Sequence, residues 1–114
     1  MNLEDFKNKL KSSPKTIAFT ETMTIIDKYY DFTPTAFTNG LLENEHGQNS
    51  GSCKLFAFAQ HQKLLKEETL ACFGDYYFKE VLLDPNGTGH QNIRNFMKTG
   101  FNGLNFKVFP LKMK

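Results

Sequence analysis

Cys53 carries the most reactive side chain that this sequence sets in a suggestive place. It follows Gly51-Ser52 and opens the apolar run Cys53, Leu55, Phe56, Ala57, Phe58, Ala59. The thiol would then stand near the start of a helix, where free N–H groups and the helix dipole favour a thiolate. A thiol nucleophile also needs a base and an oxyanion donor. Of the three histidines, His90 is the best base, with Asp75 or Asn92 to orient its ring and Gln48 to offer an amide donor. These residues define one function, a cysteine hydrolase using Cys53 and His90. The competing reading is structural: free cysteines among apolar neighbours are usually small core residues. The surroundings of Cys53 and Cys72 favour that second reading, with both thiols unpaired.

The remaining reactive side chains form weaker patterns. His46, His61 and His90, taken with Cys53 and Cys72, show none of the short Cys-x-x-Cys or His-x-x-x-His spacings of a zinc site, so no metal is expected. Nothing fixes the separation of Glu43, Glu45 and Asp75 as paired carboxylates. The stretch Gly87 to Asn95 lacks the Gly-Lys-Ser/Thr ending of a phosphate-binding loop and the spacing of a dinucleotide fingerprint, and no cofactor is expected. It does feed a glycine-containing turn into a helix whose free N–H groups could hold an anion, helped by His90 and Arg94. Thr88, three residues ahead of Gln91, explains the same stretch as a capping box.

Polar residues are dense from 33 to 39, 45 to 54, 75 to 77 and 90 to 95. If these segments converge they line a polar cleft suited to a small ligand or peptide. The residues expected around it are Gln48, Asn49, Asp75, Tyr77, His90 and Arg94. In the structural alternative the same amides and hydroxyls satisfy loop backbone.

The elements that must position these groups can be read along the chain. Asn2 caps a first helix with Leu3, Phe6 and Leu10 on one face, acids early and lysines late. Ser13 and Pro14 read as the cap and first turn of a second helix bearing Phe19, Met23, Ile26 and Tyr30. The run Thr35 to Thr38 leads into Asn39-Gly40, the pair that most strongly signals a two-residue hairpin turn. Ser52 starts a mostly buried helix. A fourth helix starts near Glu67 and reaches Phe73, where Gly74 bends or interrupts it before Asp75 to Leu83 continues. After the turn Asp84 to Gly87 comes a short helix with Ile93, Phe96 and Met97 inward and Gly100 at its end. Leu104, Phe106 and Val108 alternate as a strand expected to join the hairpin.

The sum is an α+β domain spanning residues 1–114, about five helices packed around a small, mainly antiparallel sheet. Its 114 residues suit one core, which twelve phenylalanines can fill. A net charge of +2, with lysines spread among acids, argues against nucleic acid as a partner. The longest apolar runs are far shorter than the roughly 20 residues of a membrane span, and no signal peptide precedes the first helix. A cytoplasmic protein is expected.

Four segments resemble the HopJ type III effector family: Phe32-Thr-Pro-Thr-Ala-Phe-Thr-Asn-Gly40, Gln48-Asn-Ser-Gly-Ser-Cys-Lys-Leu-Phe-Ala-Phe-Ala-Gln60, Thr69-Leu-Ala-Cys-Phe-Gly-Asp-Tyr-Tyr77 and Gly87-Thr-Gly-His-Gln-Asn-Ile-Arg-Asn-Phe-Met-Lys-Thr-Gly100. With their spacing they cover nearly the whole chain. The resemblance implies an α+β bacterial protein of a family named after a plant-pathogen effector, and it brings no enzymatic activity. It also raises type III secretion, whose signal is expected to be a flexible, often serine-rich N-terminal stretch, whereas residues 3 to 10 read as ordered helix. The expected function is therefore binding of a protein partner or small ligand through polar loop surfaces, with the hydrolase as alternative.

Overall fold

The computed structural model describes residues 1–114. The Asn2 side chain accepts a hydrogen bond from the Asp5 N–H at 2.8 Å and so starts α1, Leu3–Ser12, which buries Phe6 and Leu10 one turn apart. Pro14 sets only a single 3-10 turn, Pro14–Thr16, and Ser13 caps nothing. The second helix, α2, instead spans Phe19–Tyr29 and starts where the Glu21 carboxylate reaches back to accept from the Ala18 N–H at 3.0 Å. The same carboxylate takes the Lys9 ammonium at 2.8 Å, which joins α1 to α2 and holds the Glu21 carboxyl below the usual carboxylate range.

Two antiparallel sheets form, where the sequence pattern indicated one. In the first, β1 (Tyr30–Phe32) pairs with β5 (Leu111–Met113). Tyr30 has the spacing of a last helical residue but pairs with Met113 in the strand. In the second, β2 (Phe37–Asn39) lies between β3 (Leu42–Asn44) and β4 (Leu104–Phe106). The late strand therefore does join the hairpin, although Val108 falls outside it.

The hairpin turn sits one residue further on than its Asn-Gly signal implies. Asn39 belongs to β2 and pairs with Leu42, so the loop residues are Gly40 and Leu41. Only Gly40 has positive φ, at 61°, the pattern of a turn with glycine in its first central position. A Cβ added there would also stand 3.3 Å from the Thr99 side chain. Gly40→Val should consequently cost about 1–3 kcal/mol, since a β-branched residue tolerates positive φ poorly. A thermal melt reads the loss, and an unchanged Tm would contradict the turn.

The remaining helices build the core. α3 (Ser50–Gln62) buries Cys53 and every residue from Leu55 to Ala59, so it is covered on all sides and lacks a polar stripe along those positions. Phe56 packs between Phe73 and Phe96 at 5.5 and 4.9 Å, and Phe58 takes the rings of Phe6 and Tyr30 at 6.1 and 5.9 Å. α4 is short, Lys66–Ala71, and Gly74 interrupts the helical run beyond it, as its sequence position indicates. The chain then continues as a π-helical segment, Tyr76–Val81, rather than as an ordinary helix. After the Asp84 to Gly87 turn, α5 runs Gln91–Thr99 and ends at Gly100 with φ 58°. Its start differs from the capping-box reading: the Gln91 side chain does donate to the Thr88 carbonyl, but the helix is entered through His90 and Thr88 caps nothing.

Candidate functional site

α3 and α5 begin in the same unusual way. Asn49 precedes α3 with φ 52° and His90 precedes α5 with φ 55°, both in the left-handed region that few non-glycine residues adopt. Neither side chain caps its own helix. The first helical hydrogen bonds run from Cys53 to the Asn49 carbonyl and from Arg94 to the His90 carbonyl. The N–H groups of Ser50, Gly51 and Ser52, and those of Gln91, Asn92 and Ile93, therefore find no acceptor within the protein.

Both helix starts open on one cleft of about 410 Å³, to which α3 contributes Gly51 and Ser52 and α5 contributes Gln91 and Asn92. Its other walls are aromatic. Phe19 stacks with Phe73 at 6.2 Å, Tyr76 meets Phe19 edge-on at 5.3 Å, and the His90 ring lies against Tyr76 at 5.3 Å. The close approach that brings these rings together depends on Gly74. A Cβ there would lie 2.9 Å from both the Ile17 carbonyl and the Phe19 nitrogen, and its φ of 61° disfavours any side chain.

Side-chain amides, all but that of Asn49 buried, fix the two helix starts relative to each other. The Asn44 Oδ1 accepts from Asn49 Nδ2 at 2.7 Å and from Asn92 Nδ2 at 3.0 Å, while its own Nδ2 donates to Asn92 Oδ1 at 3.2 Å. Asn39, fully buried, donates to the Asn92 carbonyl at 2.8 Å and to Asn92 Oδ1 at 3.1 Å, and its own Oδ1 has no partner. The hairpin is thus a clamp: one asparagine on β3 holds both cap regions, and one on β2 seconds it. Neither Asn39 nor Asn44 stands out in the sequence as a site residue.

Cys53 is only 1% exposed, does not line the cleft, and has its thiol pushed up to about 11 by burial, against which a backbone hydrogen bond from Thr35 works only in part. Cys72 is more deeply buried and pushed up to about 12. Both are free thiols. A nucleophile needs a depressed pKa and a path for substrate, and Cys53 has neither, while the His90 Nε2 lies 2.9 Å from Glu80 Oε1. Nothing in the geometry supports the hydrolase. No three His, Cys, Asp or Glu side chains gather as metal ligands either.

Of the six residues expected around a shared polar depression, Asn49 and His90 line the cleft and the other four do not. Gln48 folds back to accept from the Glu45 N–H at 3.0 Å. Asp75 lines an adjoining depression beside Lys15 and Thr20, which shares Phe19, Phe73 and Tyr76 with the cleft. Tyr77 is half-buried, its phenol pKa raised by that burial and by Glu67 nearby. Arg94 braces the preceding loop, donating to the Gly89 carbonyl at 2.6 Å and the Asp84 carbonyl at 2.9 Å. Gly51, Ser52, Tyr76, Gln91 and Asn92, which do line the cleft, each sit within three positions of an expected residue.

The arrangement defines a single α+β domain with a polar cleft at two helix starts and no assembled catalytic group. The sequence model of the family described as "HopJ type III effector protein" matches residues 3–111, nearly the whole chain, and the chain belongs to that family. A solved structure described as that of an unknown function protein, VPA0580, superposes with a TM-score of 0.97; the two sequences are 52% identical, over 100% of this chain and 95% of that one. No curated protein matches the chain. No helix is long and apolar enough to cross a membrane.

Proposed function

We propose that this HopJ family protein acts by binding and not by catalysis, and that its ligand is a small molecule presenting hydrogen-bond acceptors to the cleft where α3 and α5 begin. The observation that carries this is the convergence of N–H groups from two helices, all without protein acceptors, on one cleft. Unpaired donors are costly to bury, so such groups stay open to water or to a ligand's oxygen atoms. The cleft volume falls within the range of small-molecule sites. Asn49 and His90 take left-handed backbone at its edge, which asparagine and histidine adopt more readily than most side chains, and so turn the chain sharply into both helices. The family's description names an effector, and a binding role fits a protein that acts on a host as well as one that acts where it is made.

The test is a backbone amide NMR titration with small carboxylates, phosphate esters and dipeptides. Saturable shifts are expected at Gly51, Ser52, Gln91 and Asn92. Gly51→Ala, whose new Cβ would stand 3.0 Å from the Phe19 ring, should narrow the cleft and weaken binding at least fivefold. Shifts scattered over the surface, or unchanged affinity in Gly51→Ala, would contradict the assignment.

A further inference from the structure

We infer that the ligand of this cleft carries a planar aromatic ring together with its acceptor group. This rests on the acceptor-binding proposal and adds the class of compound. Phe73, Phe19, Tyr76 and His90 form a chain of ring-to-ring contacts, and all four line the cleft. Phe73 is buried as core, but Tyr76 is 42% exposed and borders both the cleft and the adjoining depression that Asp75 lines. Tyr76 is also the first residue of the π-helical segment. Such wide turns are rare and occur frequently at functional sites. Here the widened turn leaves Tyr76 on the cleft while Val81, at its other end, is buried.

The aromatic wall and the free N–H groups of Ser52 and Gln91 belong to one cavity. A puckered aliphatic ligand could use the donors and pack on the rings, but only a planar aromatic one adds the offset or edge-on contact that their quadrupolar faces reward beyond buried area. Stacking of a ring on an aromatic side chain is worth on the order of tenfold in affinity. Aryl carboxylates and nucleotides share the required chemistry, a planar ring joined to an oxygen-rich group, and matched compounds separate the two sources.

The experiment compares benzoate with cyclohexanecarboxylate and adenosine monophosphate with ribose 5-phosphate, each by amide NMR titration of the full chain. At least one planar compound should bind about tenfold tighter than its partner, at the Gly51, Ser52, Gln91 and Asn92 amides; the pair that responds identifies the source. In Tyr76→Leu that ratio should fall towards one, and in Tyr76→Phe it should persist. If planar and non-planar partners bind the cleft equally well, the ring inference is overturned and the acceptor-binding reading stands. If none of the four compounds moves those amides, both fall.

Discussion

Phe6→Ala is expected to lower the stability of the fold by about 3–5 kcal/mol, the cost of deleting a large, fully buried aromatic side chain. Phe6 has no exposed surface and its ring meets Phe58, which in turn meets Tyr30, so the cavity left behind would sit between α1, α3 and β1. Neighbours on three elements cannot all move inward at once, and little of the loss is recovered by collapse. Urea unfolding should show a lower midpoint at an unchanged slope. A loss below about 1 kcal/mol would mean that α1 lies on the surface of the fold and is not built into it. The outcome bears on the effector description as well. A secretion signal is expected to be a flexible N-terminal stretch, but here residues 3–12 are helical and two of their side chains complete the core.

How much the sequence discloses depends on how many residues share in each signal. α1 is legible because a cap, a charge gradient and helical spacing all fall within one ten-residue helix. β1 and β5 are not, because Tyr30 continues the helical spacing of α2 and is placed by partners far along the chain. Its hydroxyl lies 2.6 Å from both His61 Nδ1 and Gln62 Nε2. The Asn39-Gly40 pair announces a hairpin correctly and misplaces its register by one. Local turn preference favours Asn39 in the loop, and the buried amide network draws it into the strand. For Cys53 the plainer reading, a small residue among apolar neighbours, matches where the residue lies.

The cleft obeys the same logic. Segments around 49–52, 76 and 90–92 do meet, because each borders an apolar run that the core draws inward. Which side chain faces the cleft is a finer matter, since successive helical residues point about 100° apart and one position changes the face. Tyr76 lines the cleft in place of Tyr77, since the polar segment 75–77 marks the neighbourhood and carries no signal that separates the two tyrosines. Arg94 does not reach this cleft: its guanidinium is held by two loop carbonyls and it borders a different depression beside Val81 and Met97. Asn44 carries no signal at all, since a lone asparagine at a strand end reads as a solvated turn residue.

That silent residue carries the second large expectation. Asn44→Ala should cost about 2–3 kcal/mol, because removing one partner of a buried pair leaves the other with its full desolvation penalty. The Asn92 Nδ2 would lose the acceptor it uses in the folded chain. The Asn92 Oδ1 would keep the Asn39 amide, and Asn49, which is exposed, would turn to water. The cleft should suffer beyond the stability loss, since the clamp sets where both rows of N–H groups point. Amide shifts from Ser50 to Ser52 and from Gln91 to Ile93 should move or broaden under conditions where the variant is still folded.

Asn44→Asp separates the clamp from simple loss of volume. Its carboxylate could accept from Asn49 and Asn92 but would face the Asn92 Oδ1 without a proton, in a site that is almost closed to water. Burial disfavours the charged form and raises the folded-state pKa above the ordinary aspartate value of about 3.9. Stability contributed by the neutral acid is then fully present below that value and is lost as pH rises through the raised one. Asn44→Asp should accordingly approach the wild type near pH 4 and fall towards Asn44→Ala near pH 7. Equal stability of the Asp variant at both pH values, measured against the wild type at each, would show that position 44 is open to water and that the two helix starts hold their places without it.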